Sequence, residues 1–170
     1  MGRDKATIVI GGETLARRTA RALAAVASPC IEVGPGVSGL PSVSEDPIGG
    51  GPLVAVAAGA AALPAGLPAL VVACDLPRLS AELLRWLADH PATGSVVPLW
   101  EDRPQLLCAR WFGAALSVAS GLVARGARAM TALLDGSDAV IVAPPADLGA
   151  ALIDVDTPSQ LREAPGVDSG

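Results

Sequence analysis

The pattern of apolar and polar positions predicts strands and helices that follow one another along the chain. Strand-like apolar runs are predicted at 30–33, 42–46, 69–74, 94–100, 105–109, 139–142 and 151–155. Helical patterns are predicted at 14–27, 51–63, 80–88, 112–123 and 128–134, with a last helix after residue 157. This alternation is typical of an α/β fold, in which helices cover the faces of a sheet.

Some of these elements carry sharper local signals. Thr14 and Ser80 stand where each can cap the helix that follows. The run 69–74, ALVVAC, is apolar throughout, which is typical of a strand buried on both faces of a parallel sheet. The longer apolar stretch 51–74 contains two prolines and a glycine near its middle. It therefore predicts a helix, a turn and a strand, and no membrane span.

Composition narrows the class of protein. The 170 residues are enough for one domain, which we expect over 1–163, with 164–170 as a frayed tail. A hydrophobic content of 51% excludes disorder. An aromatic content of 2% and a net charge of -5 argue against a nucleic-acid partner. With no signal peptide and no membrane span, a cytoplasmic location is expected.

Cysteine and histidine are too sparse for the usual sites built from them. The three cysteines are widely spaced and form no C-x-x-C pair, so they indicate buried thiols. His90 is the only histidine, which argues against a histidine-based metal site or catalytic triad. Carboxylates and backbone groups are therefore the candidates for chemistry.

Asp75 is the sharpest of these candidates. It comes directly after the apolar run 69–74 and is followed two residues later by Pro77. Ligands of open α/β sheets bind beyond the carboxyl ends of the strands, so this acid is expected to face a ligand crevice. One interpretation is a simple turn cap. The other is a ligand to Mg²⁺, which takes one or two carboxylates together with phosphate oxygens.

Two further stretches could join Asp75. Asp154 and Asp156 lie at the end of the predicted last strand, and Asp156, nearer its carboxyl end, is expected to face the crevice. The same stretch also has the form of a plain helix start with proline near its first position. Three glycines, 49–51, lie at the start of the helix predicted at 51–63. They would let the backbone approach a ligand closely and would leave the N-terminus of the helix free to bind it. A tight turn is the alternative.

In this order, the motifs resemble the molybdenum cofactor guanylyltransferase family, within the nucleotidyltransferases of nucleotide-sugar-synthase fold. The resembling stretches, which span nearly the whole chain, are MGRDKA, GGETLARRTARAL, GPLVA, CDLP, RPQLLCARW and DVDTP. The likeness implies a Rossmann-like three-layer sandwich of the nucleotide-diphospho-sugar transferase type, with a mostly parallel central sheet and helices on both faces. MGRDKA resembles the end of the family's opening signature. The family's first strand and glycine-rich loop are therefore expected to be missing ahead of Met1.

The resemblance also implies an activity and a set of roles. The activity is transfer of GMP from GTP to the phosphate of molybdopterin, with release of pyrophosphate and with Mg²⁺ as cofactor. Molybdopterin-handling proteins and apo-molybdoenzymes are the further partners that it implies. The implied roles are catalysis by Lys5 and Asp75, nucleotide binding by Lys5, Asp46, Gly50, Gly51 and Asp75, and metal binding by Asp75 and Asp156.

Plainer interpretations stand beside these roles. Lys5 is otherwise a solvated tail residue, and Asp46 a turn cap before Pro47. Arg128 could bind the pterin phosphate, or be an ordinary exposed arginine.

The chain also departs from the family pattern. Ala55 replaces a glycine, Leu106 a proline, and the acids of DVDTP replace asparagines. The acidic form resembles cytidylyltransferase relatives, which leaves CTP open as the nucleotide. The expected missing strand leaves two alternatives open, a start codon placed too late or a truncated relative that is a non-catalytic binding remnant.

Overall fold

The computed structural model describes residues 5–154. The helices in this part are α1 Leu15–Ala24, α2 Pro52–Ala62, α3 Ala81–Asp89, α4 Gly113–Ala124, α5 Thr131–Asp135 and α6 Ala146–Gly149. The strands are β1 Val9–Ile10, β2 Glu13–Thr14, β3 Glu32–Val33, β4 Ser42–Val43, β5 Ala69–Val72, β6 Val96–Trp100, β7 Arg103–Pro104, β8 Cys108–Trp111 and β9 Val140–Val142. Two single 3₁₀ turns lie at Lys5–Thr7 and Ala150–Leu152.

The central sheet is built from β5, β8, β6, β7 and β9 in the described residues. β8 lies between β5 and β6 and is antiparallel to both, while β9 pairs with β6 in parallel. β5, β6 and β9 therefore run in the same direction, and β8 runs in the opposite direction. Separate from this sheet, β3 pairs with β4 in parallel, and β1 pairs with β2 as a hairpin.

Two apolar clusters, one on each face, enclose the central sheet between layers of helices. Along β6, Val96 packs into the cluster with α3, and its neighbour Val97 packs into the cluster with α2, α4 and α5. Cys108 and Ala109 of β8 divide in the same way. Side chains alternate between the faces of a strand, so both faces are covered. The predicted α/β sandwich with helices on both faces is confirmed.

Helix starts follow the predicted capping. The Thr14 hydroxyl accepts a hydrogen bond from the Arg17 N–H at 3.3 Å, and the Ser80 hydroxyl accepts one from the Leu83 N–H at 3.3 Å. Each cap satisfies one of the amides that a helix start leaves without an intrahelical partner. The part of the chain that the structure describes contains no helix of the length and apolarity needed to cross a membrane.

Three expectations about strands were wrong. The run 69–74 is only half-buried, and in the described residues its strand β5 pairs with antiparallel β8 along one edge. The strand expected from 105 starts at Cys108. The stretch from 151 to 154 contains no strand, because Leu152 packs into the core from a 3₁₀ turn and is 2% exposed. The predicted last helix, Asp156 and the domain boundary at 163 lie outside the described residues.

Candidate functional site

The turn after β5 carries the Asp75 carboxylate at an end of the central sheet. Leu76 and Pro77, which follow Asp75, are buried and fix the path of the backbone. The Arg18 guanidinium of α1 donates a hydrogen bond to the Pro77 carbonyl at 3.2 Å. The Asp75 side chain is 29% exposed and so remains accessible to a ligand. Its position at the carboxyl end of a strand is the one expected from the sequence.

Lys5 lies against this carboxylate. Its Nζ is 3.6 Å from Asp75 Oδ2, and the Lys5 side chain is 30% exposed. Ala6, in the same 3₁₀ turn, is buried and anchors the turn to the body of the protein. The structure therefore brings together two of the candidate site residues, Lys5 and Asp75.

A partly exposed ion pair of this kind contributes at most about 1 kcal/mol to stability. The ammonium can therefore exchange its partner for a phosphate oxygen at little cost. Within residues 5–154 no group of three His, Cys, Asp or Glu side chains forms a ready-made metal cage. A single accessible carboxylate fits the other binding mode of Mg²⁺, in which phosphate oxygens and water complete the coordination.

The glycines ahead of α2 are explained by packing. Gly51 has φ of 104°, and a Cβ there would lie 3.1 Å from the Arg128 carbonyl oxygen. A Cβ on Gly50 would lie 2.8 Å from the Pro47 carbonyl oxygen. Only glycine fits these positions, whether or not a ligand binds nearby.

The helix start that these glycines precede is not free, contrary to the expectation. Pro52 has no N–H, the Leu53 N–H donates to the Arg128 carbonyl at 3.0 Å, and the Val54 N–H donates to the Gly51 carbonyl. The sequence could not show this, because Arg128 is far from α2 along the chain.

The loop between β4 and α2 is organised by Glu45. One of its carboxylate oxygens accepts a hydrogen bond from the Gly49 N–H at 2.9 Å, and the other is buried without a described partner. Asp46 is exposed, and its side chain makes no hydrogen bond or ion pair with the described residues. A ligand contact by Asp46 is therefore sterically open, whereas the structural role in this loop belongs to its neighbour.

The remaining candidates are placed as follows. Asp156 is outside the described residues, and Asp154 is exposed. The Arg128 guanidinium donates to the Val123 carbonyl at 3.0 Å and to the Ala127 carbonyl at 2.8 Å. It thus caps the end of α4. Sequence reasoning missed the hydrogen bond from Arg18 to the turn, because Arg18 and Pro77 are 59 positions apart in the chain.

Solved structures of similar fold include nucleotidyltransferases. The molybdopterin-guanine dinucleotide biosynthesis protein A from Archaeoglobus fulgidus superposes with a TM-score of 0.71 over 96% of this chain and 89% of its own, at 16% identity. The 2-C-methyl-D-erythritol 4-phosphate cytidylyltransferase from Thermus thermophilus gives a TM-score of 0.72 over 94% and 91%, at 20% identity. At these identities the likeness shows a shared fold alone.

The family follows from sequence. Residues 1–140 match the MobA-like NTP transferase domain. Relatives named as probable molybdenum cofactor guanylyltransferases, from Mycobacterium avium and Mycolicibacterium paratuberculosis, are 38% and 37% identical over 95% of this chain and 87% of their own lengths. The chain belongs to the MobA-like NTP transferase family, and the predicted resemblance is confirmed.

Proposed function

We propose that this protein transfers GMP from GTP to the terminal phosphate of molybdopterin and releases pyrophosphate. The observation that carries the proposal is the pairing of Lys5 with Asp75 at the carboxyl end of β5. An accessible cation and carboxylate at this edge suit a nucleoside triphosphate. The names of the mycobacterial relatives, which share over a third of the sequence, support guanosine as the nucleoside and the molybdenum cofactor as the acceptor.

The chemistry requires little covalent participation from the protein. A phosphate oxygen of molybdopterin attacks the α-phosphorus of GTP, and the new O–P bond forms as the bond from that phosphorus to the β-bridging oxygen breaks. Pyrophosphate leaves with the electron pair. Positioning and charge neutralisation supply the rate enhancement. In this proposal Lys5 leaves Asp75 and contacts the triphosphate as a mobile point charge.

Asp75, with Asp156 as a second carboxylate, would hold Mg²⁺. When bound, the ion supplies positive charge that offsets the charge on the phosphate oxygens. Asp46 and the backbone of Gly50 and Gly51 contribute to the nucleotide side of the site in this proposal. The exposure of Asp46 supports its share of that role. Partners that supply molybdopterin or receive the product, among them apo-molybdoenzymes, belong to the same proposal.

The test is product formation by the purified chain with molybdopterin, Mg²⁺ and either GTP or CTP. Products are separated by chromatography and identified by mass. We expect the guanine dinucleotide, with GTP strongly preferred. Formation of the cytosine dinucleotide alone would instead support a cytidylyltransferase, the activity that the acidic DVDTP stretch leaves open. Absence of both dinucleotides would overturn the proposal.

A further inference from the structure

The start of helix α1 supports Lys5. The 3₁₀ turn Lys5–Thr7 is in contact with α1. The Ile8 N–H donates a hydrogen bond to the Lys5 carbonyl at 3.1 Å, and the Leu15 N–H donates one to the Ile8 carbonyl at 2.9 Å. Leu15 is the first residue of α1. Two successive backbone hydrogen bonds therefore connect Lys5 to the beginning of this helix.

The turn that carries Asp75 is attached to the same helix. Leu76, the next residue, is 5% exposed and belongs to the same apolar cluster as Ala22 of α1. Arg18 lies four residues before Ala22 and so on the same face of α1. Its guanidinium donates to the Pro77 carbonyl at 3.2 Å. An apolar and a polar interaction thus join the turn to α1.

The hydrogen bond from Arg18 acts in the middle of this turn. The Leu79 N–H donates to the Leu76 carbonyl at 3.1 Å, which closes the turn after Asp75. Pro77 lies inside this closed turn, so a donor on its carbonyl fixes the backbone on both sides. A side chain that acts on a substrate has to be held within about 0.5 Å of its productive position. The backbone that carries the carboxylate must therefore be held as well.

The guanidinium of Arg18 is suited to this task. Arg18 is partly buried and forms no salt bridge with the described residues. Arg21, further along α1, instead pairs with Glu13 at 3.0 Å. A hydrogen bond from a charged donor is stronger than one between neutral groups. The hydrogen bond to the Pro77 carbonyl is thus of the stronger kind, and no described carboxylate competes for it as an ion-pair partner.

We propose that Arg18 is a positioning residue of the guanylyl transfer site. The inference rests on the proposed function, in which Lys5 and Asp75 act on one triphosphate. Through Arg18, α1 holds the turn with the Asp75 carboxylate in place beside Lys5, which the start of the same helix supports. Arg18 itself touches neither the substrate nor the metal and acts through Asp75.

The first test measures the mobility of the turn without nucleotide, metal or acceptor. Arg18→Met keeps an apolar stem but removes the hydrogen-bond donors. Backbone order parameters are measured by NMR relaxation at Leu76 and Arg78, on either side of the proline, and at Val140 in the central sheet. Arg17→Met, at an exposed position of the same helix, is the matched control. This readout does not depend on the proposed function.

We expect the order parameters of Leu76 and Arg78 in Arg18→Met to fall from about 0.85, typical of rigid backbone, to about 0.6 or below. Val140 should keep its parent value, and Arg17→Met should match the parent at all three positions. Unchanged order parameters at Leu76 and Arg78 would overturn the proposal, even with a lower urea midpoint. Arg18 would then contribute stability alone.

The second test measures the consequence for guanylyl transfer. A carboxylate that is poorly placed loses most of its effect in the transition state, so kcat of Arg18→Met should fall on the order of 10-fold. The KM for GTP should change by less than about 2-fold. Arg18→Lys should recover most of the rate, since its ammonium can also donate to a carbonyl. A higher KM with an unchanged kcat would contradict the positioning role.

The two tests separate this inference from the proposed function. If the parent forms no guanine dinucleotide, the proposed function fails, and the order parameters alone decide whether Arg18 holds the turn. If Arg18→Met does not fold, the same order parameters are measured in Arg18→Gln, whose shorter side chain keeps a polar group but withdraws it from the Pro77 carbonyl. Rigid backbone at Leu76 and Arg78 in that variant would overturn the proposal.

Discussion

At the scale of single residues, Asp75 gives the clearest test between a structural role and a chemical one. Its carboxylate lies in the turn three residues beyond the end of β5, is 29% exposed and lies 3.6 Å from the Lys5 ammonium. A turn cap needs only a hydrogen-bond acceptor, which asparagine also provides. A metal or phosphate site needs the negative charge itself.

Replacing Asp75 by Asn is therefore expected to lower turnover in guanylyl transfer on the order of 10²-fold or more, because charge that stabilises the transition state is lost. The circular dichroism spectrum and the urea midpoint should stay near those of the parent. Asp135→Asn, at an exposed position in α5, is the matched control and should retain full turnover. Near-normal, Mg²⁺-dependent turnover of Asp75→Asn would show that Asp75 is only a turn cap.

The position of a site residue could be predicted from the sequence where it depends on a single strand. Asp75 could be located because an acid after an apolar run lies at a strand end, whatever the rest of the fold. The role of Gly51 could not be predicted, since the atom that it must avoid belongs to Arg128, on a segment distant in sequence. Glu45 was overlooked in favour of Asp46, because the sequence does not show which of two adjacent acids turns inward.

At the scale of elements, Glu32 of β3 holds the loop that follows it. Its carboxylate accepts hydrogen bonds from the N–H groups of Gly36 and Ser38 at 2.7 Å and of Val37 at 3.1 Å. Burial raises the pKa of Glu32, but the hydrogen bonds from Ser38, Val37 and Gly36 outweigh it, so the pKa lies below its ordinary value. The charged form is thus the one that the fold favours.

Glu32→Gln is expected to lower the free energy of unfolding by about 1 kcal/mol at pH 7, since Glu32 is partly exposed and its hydrogen bonds are discounted accordingly. Because the pKa of Glu32 is lower in the folded state, its charge stabilises the fold at pH values above the unfolded-state pKa of about 4.3. This stabilisation is lost as the pH falls through the folded-state pKa. Urea unfolding from pH 7 to pH 3 measures the difference in the free energy of unfolding between the parent and Glu32→Gln, with Glu101→Gln at an exposed position as the control. A difference from the parent that grows toward pH 3 would contradict this sign.

Arg110 of β8 is a second organiser at this scale. It is 8% exposed, and its guanidinium donates at 2.6–3.2 Å to four carbonyls in the last turn of α3 and in the connection to β6, those of Ala88, His90, Ala92 and Gly94. No carboxylate neutralises it in the described residues. The carbonyls alone hold the charge, and they fix the path of the connection from α3 to β6.

Arg110→Met should therefore destabilise the protein by about 3 kcal/mol, because four part-buried carbonyls lose their donor at once. The free energy of unfolding of Arg110→Lys should lie between those of the parent and of Arg110→Met, since an ammonium reaches fewer of the carbonyls. Arg85→Met, on the exposed side of α3, should change the free energy of unfolding by less than about 0.5 kcal/mol. A similar loss for Arg110→Met and Arg85→Met in urea unfolding would contradict the account.

Most elements could be predicted from periodicity, and their pairing could not. The N-caps of α1 and α3 could be predicted from local signals, because Thr14 and Ser80 are residue types that cap helices. The reversed direction of β8 does not, because an apolar run has the same pattern in either direction. The 3₁₀ turn Ala150–Leu152 falls in a stretch predicted as a strand, because a short apolar run, here with Ala151 and Leu152 buried, is compatible with either conformation.

At the scale of the whole molecule, the site forms where two segments distant in sequence meet. Asp75 follows β5 of the central sheet, and Lys5, in the 3₁₀ turn Lys5–Thr7, lies against it. The proposed chemistry therefore depends on the fold that brings these two segments together.

The fate of two labels on GTP tests the central claim, nucleotidyl transfer, most directly. GTP labelled at the α-phosphorus or at the γ-phosphorus is incubated with the protein, molybdopterin and Mg²⁺. We predict that the α-label enters the molybdopterin dinucleotide and the γ-label appears in pyrophosphate, in equal amounts. The γ-label in molybdopterin or in free phosphate, with the α-label left in GDP, would contradict it.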